Sequence, residues 1–225
     1  MEVNEKLLSS LPFRERLTES ETDKIIKSAV LRHCRSGETI CGYGSACLGM
    51  IMIIKGGLRA FLLSEGGREI TLFRLGAGEI CVLSASCVIS RITFDTNIVA
   101  ELESELLIIP SSVFSELAEK NIYVRCFMYE KMTERFSSVI STMQQLVFMR
   151  IDSRLASFLV SECERSGSDE INMTHELIAQ HISSAREVVA RTLKRFAGDG
   201  LIEMKRGLIQ VTDMNGLKGL ISDSR

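Results

Sequence analysis

Residues 173–196 read MTHELIAQHISSAREVVARTLKRF, and the organisation of the whole chain follows from this stretch. Thr174 has the hydroxyl of an N-cap for a first helix reaching Ile182, with Leu177, Ile178 and Ile182 able to face a core. Ser183-Ser184 interrupts that helix. A second helix over Ala185–Ala197 then sets Val189, Leu193 and Phe196 at spacings of 4 and 3, which is one buried stripe. Gly198-Asp199-Gly200 stops it, and Leu201–Val211 alternates around Lys205-Arg206-Gly207 as a β-hairpin. Helix, tight turn, helix and hairpin together make a winged helix-turn-helix.

The face left over on the second helix carries the chemistry. From Arg186 to Arg206 there are six cations against three anions, although the whole chain has a net charge of −2. A helix of this kind fits the major groove, about 12 Å wide, where an arginine fork meets guanine and a carboxylate meets cytosine N4. The expected DNA contacts are Thr174, Ser184, Arg186, Glu187, Val188, Arg191 and Lys194, with Lys205 and Arg206 of the wing on phosphate. Two duller accounts stay open at this point. Ser184 and Glu187 have the spacing of a capping box, and the arginines could be solvated surface residues.

Working toward the N-terminus, glycine vanishes for more than fifty residues after Pro110. Pro110-Ser111-Ser112 reads as a helix start with a hydroxyl available as cap. Tyr129, Met132, Phe136, Val139, Met143 and Leu146 then follow at 3, 4, 3, 4 and 3, the rhythm of a coiled-coil seam. Met132, Phe136, Val139 and Met143 are the expected contacts of a parallel homodimer, with packing on the helix's own domain as the plainer alternative. Residues 36–109 are different again. Short apolar runs (Met50–Ile54, Leu58–Leu63, Glu69–Phe73, Ile98–Leu102, Leu106–Ile109) lie between glycine-marked turns, and Gly66-Gly67 suits a hairpin. These features predict an α+β chain in three parts: an all-β sandwich or barrel over 1–110, a dimerisation helix over 111–148, and a winged helix-turn-helix over 149–225.

Composition sets the outer limits. The chain has 225 residues, 45% hydrophobic and 25% charged, which is a globular balance and excludes intrinsic disorder. The run Met50–Ile54 is far short of the roughly 20 apolar residues a membrane span needs. The N-terminal residues show no basic and apolar export signal, so a soluble cytoplasmic protein with no membrane partner is expected. Seven cysteines are an odd number and read as reduced thiols. No phosphate-cradling loop leading into a helix and no nucleophile elbow is visible, so an enzyme is not expected.

The glycine-spaced β-roll, the Gly78-Glu79 pair, the heptad helix and the run Ala185-Arg186-Glu187-Val188-Val189-Ala190-Arg191 together resemble the CRP/FNR superfamily of bacterial transcription regulators. The resemblance covers nearly the whole chain, and it implies that the all-β part over 1–110 is a cyclic-nucleotide-binding-like β-roll of jelly-roll type. It implies that Arg186, Glu187 and Arg191 read base edges, that the operator is an inverted repeat in double-stranded DNA, and that RNA polymerase is a further partner. It also implies an effector or redox signal taken in the β-roll, with Gly78, Glu79, Cys81, Ser84, Cys87 and Arg91 as the expected pocket and the hinge between Phe148 and Asp152 as its outlet.

Two departures narrow the effector. Cyclic-AMP-binding members complete their phosphate cassette with an Arg-Ser pair, whereas the corresponding place here holds Phe94-Asp95, an acid facing a phosphate. Cyclic AMP is therefore not the expected ligand. Members with an iron–sulfur cluster use an N-terminal cysteine group, and the first cysteine here is Cys34, so that cluster is not expected either. Cysteine is among the most buried residue types, and none of the seven has C-x-x-C spacing, so buried thiols are expected and no metal site. The rival function is a small-molecule-sensing regulatory protein that acts through protein contacts rather than DNA.

Overall fold

The structure is a computed structural model, and it describes residues 8–42, 48–67, 69–82, 96–205 and 207–222. Its elements run α1 (Glu19–Ser28), β1 (Val30–Cys34), β2 (Thr39–Cys41), β3 (Gly49–Lys55), β4 (Gly57–Leu63), β5 (Glu69–Gly76), β6 (Ile80–Cys81), β7 (Asn97–Ala100) and β8 (Ser104–Pro110). They continue with α2 (Ser111–Lys120), α3 (Ile122–Phe148), α4 (Ile151–Ser166), β9 (Glu170–Ile171), α5 (His175–His181), α6 (Arg186–Gly198), β10 (Ile202–Lys205), β11 (Leu208–Val211) and α7 (Met214–Ser222).

Two four-stranded sheets, ordered β1-β8-β3-β6 and β2-β7-β4-β5, make the β-roll. The strand period of two explains how one sheet serves two cores. On β3 and β8, Ile51, Ile53, Leu106 and Ile108 join Leu58, Ala60, Ile98 and Ala100 of the other sheet in a shared core. The alternate residues Met50, Met52, Leu107 and Ile109 form a second core with Ile25, Phe114, Leu117, Val124, Phe127 and Met128. Met50–Ile53 is apolar at every position because both of its faces are covered. Gly49, with φ +113, sits where an added Cβ would lie 2.0 Å from the Ile109 carbonyl oxygen. Only glycine lets β3 start that close to β8.

The expected helix over 111–148 is two helices. Asn121 separates them and caps the second, its Oδ1 accepting from the Tyr123 amide at 3.0 Å. No side chain caps α2, whose cap residue is Pro110, so the expected serine cap is not used. In α3 the inner stripe Val124, Phe127 and Met128 packs on the β-roll, whereas the C-terminal half exposes Met143, Val147 and Phe148. The long helix is accordingly divided rather than a segment of its own. By contacts the chain forms one unit of Met1–Leu62 with Leu72–Val139 and another of Leu63–Thr71 with Ile140–Arg225.

The second unit has its own core, built from α4, α5, α6, the strands β9–β11 and Leu217 of α7. Leu155, Leu159, Ile178, Val189, Leu193, Phe196 and Leu217 are fully buried there. Burying an aliphatic or phenyl side chain of that size stabilises by about 1.5–3 kcal/mol. The hairpin β10–β11 is joined by β9, which pairs Ile171 with Ile209, so the wing belongs to a three-stranded sheet. Ser183, at φ 52 and almost wholly buried, makes the left-handed turn between α5 and α6.

Candidate nucleic-acid interface

The recognition surface starts from Thr174, whose hydroxyl accepts from the Leu177 amide at 3.2 Å and fixes the start of α5. Ile178 and Ala179 then dock into the core, and the Ser184 amide donates to the Ala179 carbonyl at 2.9 Å, closing the turn. α6 begins after Ala185, which has no capping side chain. The capping box foreseen for Ser184 and Glu187 is therefore not formed, because the helix starts one residue later than that box needs. Glu187 is left to point elsewhere.

Along α6, Val189, Leu193 and Phe196 are at 0% exposure, and Thr192 turns its hydroxyl back to the Val188 carbonyl at 2.9 Å. With the inner stripe fixed, the helical period forces Glu187, Arg191 and Lys194 onto the opposite stripe, with Arg186 at the N-terminal edge. All four are exposed, and among the described residues none of their side chains has a hydrogen-bond or ion-pair partner. Arg195 differs: its guanidinium pairs with Asp152 of α4 at 3.2 Å and ties α6 to its own domain. Val188 is half-buried, and Ser184 contributes its backbone. Lys205 stands exposed at the end of β10, with its ammonium 3.4 Å from Gln210 Oε1. Arg206 lies outside the described residues. The face of α6 is thus two arginines, a lysine and one carboxylate on a rigid scaffold, a set of hydrogen-bonding forks with nothing yet to bind.

A second surface runs along α3. Ile122, Cys126, Tyr129, Thr133, Phe136, Ile140, Met143 and Val147 alternate at spacings of 4 and 3, and all are exposed. The expected seam is split by this stripe. Phe136 and Met143 lie on it, at 65% and 54% exposure, whereas Met132 and Val139 pack against their own β-roll. Two adjacent stripes at near-equal spacing, less than a quarter of a turn apart around the helix, read as one in the sequence.

The expected effector pocket is described only in part, since Ser84, Cys87, Arg91 and the Phe94-Asp95 pair lie outside the described residues. Gly78 and Glu79 follow β5 in the turn before β6. Both oxygens of Glu79 have protein partners, one the Gly76 amide at 2.8 Å and the other the Arg135 guanidinium at 3.2 Å. Arg135 is buried on the inner side of α3 and lies over the Phe73 ring at 5.2 Å. Sequence reading missed this residue, because an arginine inside an apolar heptad reads as surface. Cys81 is at 0% exposure in β6, paired with Ile51 of β3. Burial pushes the thiols of Cys34 and Cys163 up. Among the described residues no group of His, Cys, Asp and Glu is placed to hold a metal ion, and no helix is long and apolar enough to cross a membrane.

Two separate family models match the two ends of the chain. A Crp-like helix-turn-helix domain matches residues 153–220, and a cyclic nucleotide-binding domain matches residues 31–121. A crystal structure of a transcriptional regulator of the crp/fnr family from Eubacterium rectale superposes with a TM-score of 0.91 at 34% identity, over 95% of this chain and 99% of that one. The cAMP-activated global transcriptional regulator Vfr of Pseudomonas aeruginosa is 23% identical over 81% of this chain and 89% of its own length. The transcriptional activator protein FnrA of Stutzerimonas stutzeri is 25% identical over 88% of this chain and 82% of its own.

Proposed function

Because the chain belongs to the CRP/FNR family of transcription regulators, we propose that it works as a homodimer on an inverted-repeat operator and is switched by a signal taken in the β-roll. The observation that carries this reading is the unpartnered stripe Glu187, Arg191 and Lys194 with Arg186 at its edge, set on the fully buried Val189, Leu193 and Phe196. Arg191 and Arg186 take guanine edges in the major groove, and Glu187 takes a cytosine amino group, each good bidentate pair adding about 1–3 kcal/mol of discrimination. Thr174, Ser184 and Lys205 hold the backbone and set the register of the helix in the groove.

The second copy covers the exposed stripe of α3. Thr133, Ile140 and Val147 fall at one heptad position and Tyr129, Phe136 and Met143 at the other, and β-branched residues at the first favour two parallel strands. Two-fold symmetry then sets the half-sites about 34 Å apart. The signal reaches α3 through Arg135, which grips the Glu79 turn that leads into β6. A ligand acts only by binding one arrangement of that helix more tightly than the other. RNA polymerase is the further partner in this reading.

The test is anisotropy of a labelled promoter duplex titrated with protein across a range of salt. Binding whose logarithm falls linearly with the logarithm of salt concentration is expected. A protein that stays unbound even at low salt contradicts the proposal and favours action through protein contacts.

A further inference from the structure

The first turn of α4 gathers three separate elements of the second unit. α3 ends at Phe148, and Arg150, extended at φ −68 and ψ 158, leads into α4 without a side-chain cap. Asp152 supplies what that start lacks. Its Oδ1 accepts from the Ser153 amide at 3.1 Å, and Arg150 Nε lies 4.0 Å from the same oxygen. Its Oδ2 accepts from the Arg195 guanidinium at 3.2 Å, which reaches across 43 residues to the last turn of α6. The next residue, the buried Ser153, donates its hydroxyl to the Leu220 carbonyl of α7 at 2.8 Å. Arg195 stands one turn beyond Arg191, which itself stands one turn beyond Glu187, so it ends the row of exposed side chains on α6. Unlike the rest of that row it is held, and the carboxylate that holds it is only 20% exposed.

We propose that Asp152 is a positioning residue for sequence reading: through Arg195 it sets the angle at which α6 is presented. The inference rests on the reading that α6 reads DNA. The buried stripe Val189, Leu193 and Phe196 fixes which face of α6 turns outward. Apolar burial is non-directional, so it resists a small tilt or slide of the helix only weakly. A guanidinium–carboxylate hydrogen bond at the helix end is directional and supplies the missing restraint. Arg191 lies about 6 Å along the axis from that anchor, at a rise of about 1.5 Å per residue. A base contact needs a donor within about 3.2 Å and in line with its acceptor. Attraction to phosphate instead acts through charge over a Debye length of about 8–10 Å. Loosening α6 therefore costs recognition of sequence and spares attachment to duplex. Charge alone predicts the opposite sign, because removing a carboxylate beside a DNA-binding face raises affinity for every duplex.

Anisotropy with full-length protein on two labelled probes tests this: the duplex that wild type selects from a randomised library, and an arbitrary duplex of the same length. Asp152→Asn keeps an oxygen for the Ser153 amide and discards the charge. Its preference for the selected duplex over the arbitrary one should fall several-fold, with affinity for the arbitrary duplex unchanged or raised. Arg195→Met should lose preference to a similar extent. The double variant should lose no more than either single one, since the two side chains act as a unit. Equal gains on both probes for Asp152→Asn, or losses that multiply in the double variant, overturn the proposal while leaving DNA binding intact. An ion pair at the surface adds little to stability, so melting temperatures should stay close to the wild type. A loss of preference that vanishes once binding is read well below each variant's melting temperature assigns the pair to folding alone and also overturns it. A wild type that selects no sequence from the library overturns the proposal together with the reading beneath it.

Discussion

The first unit of the chain and the exposed face of α6 in the second treat charge in opposite ways. In the first, charged side chains are matched internally: Arg135 with Glu79, Arg74 with Glu101 at 2.6 Å, Arg32 with Glu38 at 2.8 Å, and Lys24 with Glu116. On α6 of the second, Arg186, Glu187, Arg191 and Lys194 are exposed with no side-chain partner among the described residues. A matched charge holds a fold in place. An unmatched row on a well-anchored helix costs the fold little and leaves its hydrogen-bonding groups open to an external partner. Within the first unit the apolar residues divide as well, buried in the β-roll and laid bare along one stripe of α3.

The largest effect expected is on that stripe. Phe136→Glu puts a charge in the proposed dimer seam, and sedimentation should show monomer in place of dimer, whereas Met132→Glu should first damage the β-roll core. If Phe136→Glu stays a stable dimer, the exposed stripe is not the interface. Next come the anchors of α6. Phe196→Ala should lower unfolding stability by about 3–5 kcal/mol in urea melts, since it empties a fully buried phenyl site. Arg191→Ala should change it by no more than about 0.5 kcal/mol.

Arg135→Met sharpens the comparison between matched and unmatched arginines. It removes a buried guanidinium and leaves a half-exposed Glu79 to rehydrate, for a loss of about 1–3 kcal/mol in the same melts. Equal costs for Arg135→Met and Arg191→Met would erase the distinction. The smallest effect concerns Glu116. Lys24 and then Lys120 hold its carboxyl down to about 2 from an ordinary 4.5. Folding that depresses a carboxyl gains stability above the ordinary value and loses it as pH falls toward the folded one. The margin of the wild type over Glu116→Gln should therefore shrink between pH 4.5 and 2, modestly, because the group is exposed to solvent. A margin constant through acid titration contradicts that role.

Much of this was legible in the residues, and the failures share a cause. The helix-turn-helix declared itself because Thr174, Val189, Leu193 and Phe196 obey local rules of capping and period. The glycine-marked strands did so too. What stayed hidden depended on partners far away in the chain. β9 is two residues long and exists by pairing with β11, and α1, with its Thr18–Glu21 capping box, lies in a stretch with little apolar pattern. The terminal helix α7, Met214–Ser222, carries two glycines and reads as loop until Leu217 is buried. Met132 and Val139 carry the seam's spacing without belonging to its exposed stripe, because a period of 3.5 cannot say which of two adjacent stripes meets the β-roll.

The central claim is that the bare charges of α6 read DNA sequence as a symmetric pair. Selection from a randomised duplex library, run in parallel with wild type and Arg191→Ala, tests it most directly. The wild type should return an inverted repeat with half-sites about one helical turn apart. Arg191→Ala should lose about 1–3 kcal/mol on that site and relax preference at one base pair in each half. An Arg191→Ala selection that returns the wild-type motif with undiminished information would contradict the account.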